Sequence, residues 1–479
     1  MKSDNSIPFD EWVYHRKEWS AYLIQNQVLD RFAVEPNRER MVNRNSVLTS
    51  INKICLNLLI AHTEDPNKTV GISSQKSHWD RKSMYKHPSL SYTYLVKTLK
   101  YLIELEYVEK VRGGYRDRIN NEGKTGRYRA SQKLLDAFKA DKFTVQDIMM
   151  DKEYAISQGI ELRGKKPPAT KNNPNPKGKK QEFKFKPELE VMRDNVEFLN
   201  FALDKTHIDL FVSKEEEQEI KKHMTKKNKK DPNRARDIPF ANKRLKRIFN
   251  EDFTKGGRFY GGFWQQIPKV WRSRLTIYNS LTYEQDYSFI HFAMLYKKVG
   301  IELTKDPYEM IGANRTSNKL SVNFMLNAEN RTKCIAAMKN EEDIKCPKAF
   351  KSYGNYVDHI IKVHEPIKEY FFTGYGRELQ RADSDIAEKV LIKLINQGIV
   401  CLPVHDSFVV RYRDIAPLIH AMNEASTEYL GFRLFSEPKV TPSIPIDDVE
   451  KNTNYFKRRD NFLMSTRGYV DDIKEISVI

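Results

Sequence analysis

The hydrophobic positions of the chain change period several times, and each change predicts an element. Val47, Ile51, Ile54, Cys55, Leu58 and Leu59 recur at helical spacing. Leu95, Leu99, Leu102 and Ile103 predict a second helix opening near Ser91. The segment 107–112 then alternates like a strand, Gly113-Gly114 ends it, and 126–130 can return as its partner. The segment 195–250 is helix-rich and strongly charged, with Lys221-Lys222, Lys226-Lys227 and Lys229-Lys230 followed by Arg234 and Arg236. From Thr282 to His291 the pattern is a strand running into a helix, with Asp286 at the strand end. Arg315, Lys319, Asn323 and Asn327 follow at steps of four, which places them on one face of one helix. From Gly398 to Val410, two apolar strands flank His405-Asp406, so a hairpin holds an acid at its tip.

The pattern breaks at Arg163 to Lys180, with four prolines, two glycines, seven basic residues and no acid. Such a segment reads as an extended, self-repelling linker. It divides the chain into an N-terminal domain (1–162), a linker (163–182) and a larger C-terminal domain (183–479). The N-terminal order, helix and then a long basic hairpin, is that of a winged helix-turn-helix domain. Arg112, Arg116, Arg118, Arg127 and Arg129 would bring charge where phosphates pass. The fold class expected is α+β.

Charge sharpens the picture. The 479 residues carry 82 Lys and Arg against 64 Asp and Glu, a net +18, which points to a polyanionic partner such as nucleic acid. A hydrophobic fraction of 39% suffices for real cores and excludes a wholly disordered chain. No apolar run approaches a membrane span, and the start has no secretory h-region. Cys55, Cys334, Cys346 and Cys401 are far apart and form no CxxC pair, so a reducing, cytoplasmic location is expected.

Two carboxylates at strand ends, Asp286 and Asp406, can converge on a pair of Mg²⁺ ions, which prefer hard oxygen ligands and share them with phosphates. Two such ions stabilise both the attacking and the leaving oxygen of an in-line phosphoryl displacement. The basic start of the helix face would neutralise a triphosphate, Arg315 by forked bonds and Lys319 as a point charge.

In this order the segments resemble the polymerase module of family A DNA polymerases, over about Thr254 to Val410. Gly257-Arg258 and Trp264-Gln265-Gln266-Ile267-Pro268 resemble the family's "TGR…LQNIP" segment, two residues shorter. Asp286-Tyr287-Ser288 is similar to motif A, Arg315 and Lys319 to the fingers helix, and Val404-His405-Asp406 to motif C. Leu379 to Ile386 resembles the family's "Q-x-x-x-x-D" segment near the primer end. The resemblance implies a right-hand core of palm, fingers and helical thumb, making DNA from dNTPs on a primed template with two Mg²⁺ ions. It implies that Asp286 and Asp406 are catalytic metal ligands, that Tyr287 adds a backbone carbonyl, and that Arg315 and Lys319 hold the triphosphate. It places His291, Asn323 and Asn327 at the nucleotide, and Arg258, Gln266, Gln380, His405 and Ser407 at primer or template. The style of the motifs is similar to a compact branch on mobile elements and prophages. Polymerases of staphylococcal chromosome cassettes, which make primers with a small single-strand-binding partner, are one such type.

The chain departs from the family at three places. His291 stands where the family has a Glu that helps exclude the ribose 2′-hydroxyl, Asn323 and Asn327 replace an aromatic and a Tyr, and Ser407 replaces the motif C Glu. These departures bear on sugar choice and favour NTP use in making primers. Two other readings remain: a single-subunit RNA polymerase-like enzyme, and a non-catalytic DNA-binding replication protein.

Overall fold

A computed structural model describes residues 6–9, 13–15, 19, 21–33, 43–64, 66–79, 84–85, 87, 90–117, 122–143, 147–150, 159–168, 176–226, 238, 240, 242–303, 305–310, 312, 314–341, 344–442, 455–456 and 458–460. The chain forms two units: Met1–Gly159 with Lys221–Asp237 and Phe456–Gly468, and Ile160–Ile220 with Ile238–Tyr455 and Tyr469–Ile479. Both mix helices and strands, so the fold class is α+β. No helix among the described residues is long and apolar enough to cross a membrane. All four cysteines are free thiols.

In the first unit, helix Arg44–Glu64 packs on helix Tyr92–Glu104. Val47, Ile51, Ile54, Cys55 and Leu58 on the first, and Leu95 and Leu102 on the second, are fully buried. Each such aliphatic side chain contributes about 1.5–3 kcal/mol relative to exposure. Strand Val108–Arg112 runs antiparallel to Gly126–Ala130, with Val108 opposite Ala130. Thr69–Ile72 and Ser6–Pro8 extend that sheet on the other side. Of the hairpin arginines, Arg129 is paired with Glu109 at 2.7 Å. Arg127 lies over Gly71, where a Cβ would come within 2.6 Å of its Nη1. Arg118 lies outside the described residues, as does the Arg116 side chain.

The second unit is built on an antiparallel sheet of six strands among the described residues. Its central strand, Ser280–Tyr287, pairs with Ser407–Arg411 along one side. Along the other it pairs with Leu275–Ile277 at its start and Ser436–Val440 at its end. Leu402–Val404 and Ile208–Leu210 close the edges. Residues 282 to 287 of the central strand are buried although four of them are Thr, Glu, Gln and Asp. Such a strand persists only if every polar group finds a partner. Thr282 donates to Leu275 O (3.0 Å), Glu284 takes both forks of Arg272 (2.8 and 3.0 Å), and Gln285 donates to Ser436 Oγ (2.9 Å).

Helix Gly376–Ile395 packs on the long strand Asp252–Tyr260 and on helix Ile415–Leu430. Arg247, fully buried on strand Lys246–Asn250, ties that strand to the helix. Its Nε donates to Gly257 O (2.8 Å), Nη1 to Glu388 (2.7 Å), and Nη2 to Asp385 (2.7 Å) and Ser384 Oγ (2.8 Å).

The basic segment differs from the linker expected at 163–182. The division falls at Gly159/Ile160, and Ile160–Arg163 is a strand parallel to Lys246–Asn250 within the second unit. Gly164 N donates to Lys179 O (2.8 Å) and Gln181 N to Leu162 O (2.9 Å), so the two ends of the segment are clasped together. The clasp is tight: a Cβ on Gly178 would lie 1.9 Å from Gly164 O. The physical reason is Glu161, fully buried and bonded to Lys246 (2.9 Å), Lys180 (3.1 Å) and Arg163. Burial alone would raise its carboxyl, but these three cations outweigh it and hold it at about 2. A short Ile-Glu-Leu strand thus draws basic residues inward that composition alone assigns to solvent.

Candidate active site

Asp286 is the penultimate residue of the central strand, and Asp406 sits at the tip between Leu402–Val404 and Ser407–Arg411. Register brings them together: Asp286 is opposite Ser407, and Tyr287 N donates to Asp406 O (3.3 Å). The tip turns through His405 in the left-handed region (φ 64), as tight hairpins require. A non-glycine residue pays roughly 1–2 kcal/mol there. The tip is braced from below, where Trp264 Nε1 (3.1 Å) and Gln265 Nε2 (3.0 Å) both donate to Pro403 O. After Asp286 the chain enters helix Ile290–Lys298 through Phe289, also left-handed (φ 40), a strained position of the kind found at functional sites.

The electrostatics separate the two acids. Burial, and then the adjacent Asp406 carboxylate, push Asp286 up to about 6, against the opposing pull of Lys439 and Lys319. Lys439 Nζ stands 3.0 Å from Asp286 Oδ1 as an ion pair, without hydrogen-bond alignment. Burial would also raise Asp406, but Arg258, Lys439 and His291 outweigh it and hold that carboxyl below its ordinary value. His405 is pushed below the ordinary imidazole range by burial and then by Arg258.

Helix Arg315–Asn327 forms where expected, and its N-cap Asn314 accepts from Ser317 N (2.8 Å). Such a cap is worth about 1 kcal/mol. Ser317, Asn318, Ser321, Val322, Met325 and Leu326 are buried, so Arg315 and Lys319 face outward. Both cations lie over the Tyr308 ring, at 5.6 and 6.0 Å, and Arg315 Nε also pairs with Asp306 (2.6 Å). The Lys319 charge acts to lower the Asp286 carboxyl.

Several expected roles change. Ser407 is fully buried, its hydroxyl 2.8 Å from Glu284 Oε1 and 3.0 Å from Val404 O, so it locks the hairpin to the central strand. Asn327 lies three turns beyond Arg315, about 18 Å along the axis, at the other end of the helix. Its amide donates to Asn323 O (2.8 Å), and it packs against Gly376, where a Cβ would come within 2.6 Å of its Oδ1. Arg258 is engaged with Asp383 (3.0 Å), and His291 Nε2 lies 2.8 Å from the same carboxylate. Gln266 is exposed and Gln380 half-buried. Tyr287 has only its backbone to offer, because its hydroxyl donates to Met422 O (2.5 Å) inside the core. Tyr356 and Phe371 are buried packing residues.

Sequence reading missed Lys439, Glu437, Asp383 and Gln265. Glu437 stands directly opposite Asp286 in the register and acts on Arg315. The signal was the short run Ser436-Glu437-Pro438-Lys439-Val440, which carries charge on alternate residues but holds a proline at its centre, which argues against a strand.

Among the described residues, no cluster of three or more His, Cys, Asp and Glu side chains forms a ready-made metal cage. Mg²⁺ does not need one, since it commonly uses one or two carboxylates together with substrate phosphates. The donors present fit that ion: two hard carboxylates, one pushed up by burial and then by an excess of negative charge from its neighbour that Lys439 and Lys319 do not offset.

That excess has a measurable sign. A carboxyl raised from its ordinary value near 4 to about 6 destabilises the native state as pH climbs through that window, and the loss persists above it. Asp286→Asn is therefore expected to raise the Tm of the metal-free protein at pH 8, by on the order of 1–3 kcal/mol of stability. The gain should vanish near pH 4 and be replaced by a deficit in saturating Mg²⁺. Thermal melts at the two pH values check it; a pH-independent difference would contradict the assignment.

No protein-family model and no curated protein matches the chain.

Proposed function

We propose that the chain is a template-directed nucleotidyltransferase, a family A-like DNA polymerase that makes or extends primers. The observation that carries this reading is the register that sets Asp286 beside Asp406, with the Lys319 charge acting on Asp286. Two bound Mg²⁺ ions would supply stabilisation of the attacking and leaving oxygens. Asp286 and Asp406 would hold them, with the Tyr287 carbonyl. Lys319 and Arg315 would bind the triphosphate, the first nearer the acids and the second free to leave Asp306 for a phosphate fork. Arg258, Gln266, Gln380 and His405 would face primer and template, and His291 and Asn323 the nucleotide. The first unit, with its paired helices and antiparallel hairpin, would be a winged helix engaging DNA or a partner protein. Little in the chain resembles a stacking platform for single strands, so a small single-strand-binding partner is part of the proposal.

The test is incorporation on primed and unprimed single-stranded templates, with dNTPs and NTPs given separately. Template-dependent, Mg²⁺-requiring synthesis is expected, with a dNTP preference below roughly 10⁴-fold, the range a purpose-built gate reaches. Lys319→Ala should lower kcat/KM by on the order of 10²-fold, as loss of one preorganised donor does. Absence of synthesis with either nucleotide set would favour the non-catalytic DNA-binding reading.

A further inference from the structure

Asp383 was not among the residues that the motifs assign a role, yet it is a buried acid beside the site that is held by two cationic or basic side chains. It sits on helix Gly376–Ile395 and is 2% exposed. It takes partners from two other elements. From strand Asp252–Tyr260, Arg258 Nε lies 3.0 Å from Oδ1 and 3.1 Å from Oδ2, with Nη2 also on Oδ2. From helix Ile290–Lys298, His291 Nε2 lies 2.8 Å from Oδ2. The helix turn that carries Asp383 is itself fixed, since Arg247 grips the following Ser384 and Asp385. Arg247 and Arg258 stand on paired strands, with Ile248 opposite Arg258, so the two guanidinium groups fasten the same helix turn from one sheet.

Both partners of Asp383 also bear on Asp406. Arg258 is the strongest cation acting on that carboxylate, and His291 acts in the same direction. A guanidinium released from Asp383 in this partly desolvated site would have Asp406 as its next carboxylate, and an ion pair there would occupy the oxygens a metal ion needs.

We propose that Asp383 is a positioning residue that holds Arg258 and His291 back from Asp406 and so keeps Asp406 available to a divalent cation. The proposal rests on the reading of Asp286 and Asp406 as the metal site. It predicts an energetic coupling between Asp383 and Arg258 in metal binding, which a purely structural ion pair does not produce.

The experiment uses the full chain and MgCl₂, read by thermal shift and, in parallel, by primer extension. Asp383→Asn keeps the shape and removes the charge. It is expected to raise half-saturating Mg²⁺ at least tenfold in both readouts, while the KM for nucleotide at saturating Mg²⁺ moves less than threefold. Combining it with Arg258→Gln removes the released cation, and half-saturation should return to within threefold of wild type. This double variant removes the buried acid and its guanidinium partner together, so it serves if Asp383→Asn alone folds poorly. A lower Tm in Asp383→Asn with unchanged half-saturation, or a double variant no better than the single, overturns the proposal. A wild-type protein without a saturable Mg²⁺ shift that Asp406→Ala removes would sink the metal reading itself, and the proposal with it.

Discussion

Asp286→Ala and Asp406→Ala should each lower nucleotide incorporation by at least about 10³-fold, roughly 4 kcal/mol of barrier, while leaving DNA affinity within a few-fold of wild type. On the proposed reading the two effects would separate because the acids would serve the reacting centre, whereas DNA affinity would come mainly from cations spread over a chain of net charge +18. The acids are not interchangeable in stability. Removing Asp286 relieves a carboxyl that burial and Asp406 push up, whereas removing Asp406 deprives Arg258, Lys439 and His291 of a favourable neighbour. The metal-free Asp286→Ala protein should therefore melt higher at pH 8 than Asp406→Ala. Single-turnover primer extension and a DNA-binding titration at fixed salt provide the check. Either variant retaining incorporation within tenfold of wild type would remove the acid pair from the chemistry.

The second large effect is on stability. Arg247→Met should destabilise the second unit by about 3–5 kcal/mol, because it leaves Glu388 without its cation and Asp385 with Arg381 as its remaining cation, beside a buried apolar side chain. The Tm should fall by on the order of 10 °C. Arg247→Lys should recover little, since one ammonium cannot reach Gly257 O, Ser384, Asp385 and Glu388 together. Adding Glu388→Gln and Asp385→Asn to Arg247→Met should restore part of the loss, and a calorimetric scan of the series measures it. A single-variant shift under about 3 °C would mean that water reaches these groups.

The pieces legible in the sequence were those set by local periodicity. The strand ending at Asp286, the hairpin tip at His405-Asp406 and the outward stripe from Arg315 each follow from two- or four-residue repeats, and the strands and helix form there. What stayed hidden was set by register between distant segments. Glu284 alternates like a surface strand residue but is buried under Arg272 and Ser407. Ser407 could not be distinguished from a substrate contact until the central strand was laid against it. Asp383 looks like any acid on a charged helix, because its partners come from positions 125 and 92 residues away. Ile160–Arg163 is too short, and too close to a basic proline-rich run, for its buried glutamate to be foreseen.

The clasp between Gly164 and Lys179 has an evolutionary and practical corollary. Because Gly164 N is bonded to Lys179 O, the described ends of the segment leave and re-enter the fold at adjacent points, with Lys165 also paired to Glu329. Doubling the excursion would cost only about 0.6 kcal/mol of closure entropy. It is therefore a natural address for insertions: a lineage could lengthen it, or an engineer could graft a fluorescent reporter into it, while the acid pair at Asp286 and Asp406 keeps its spacing.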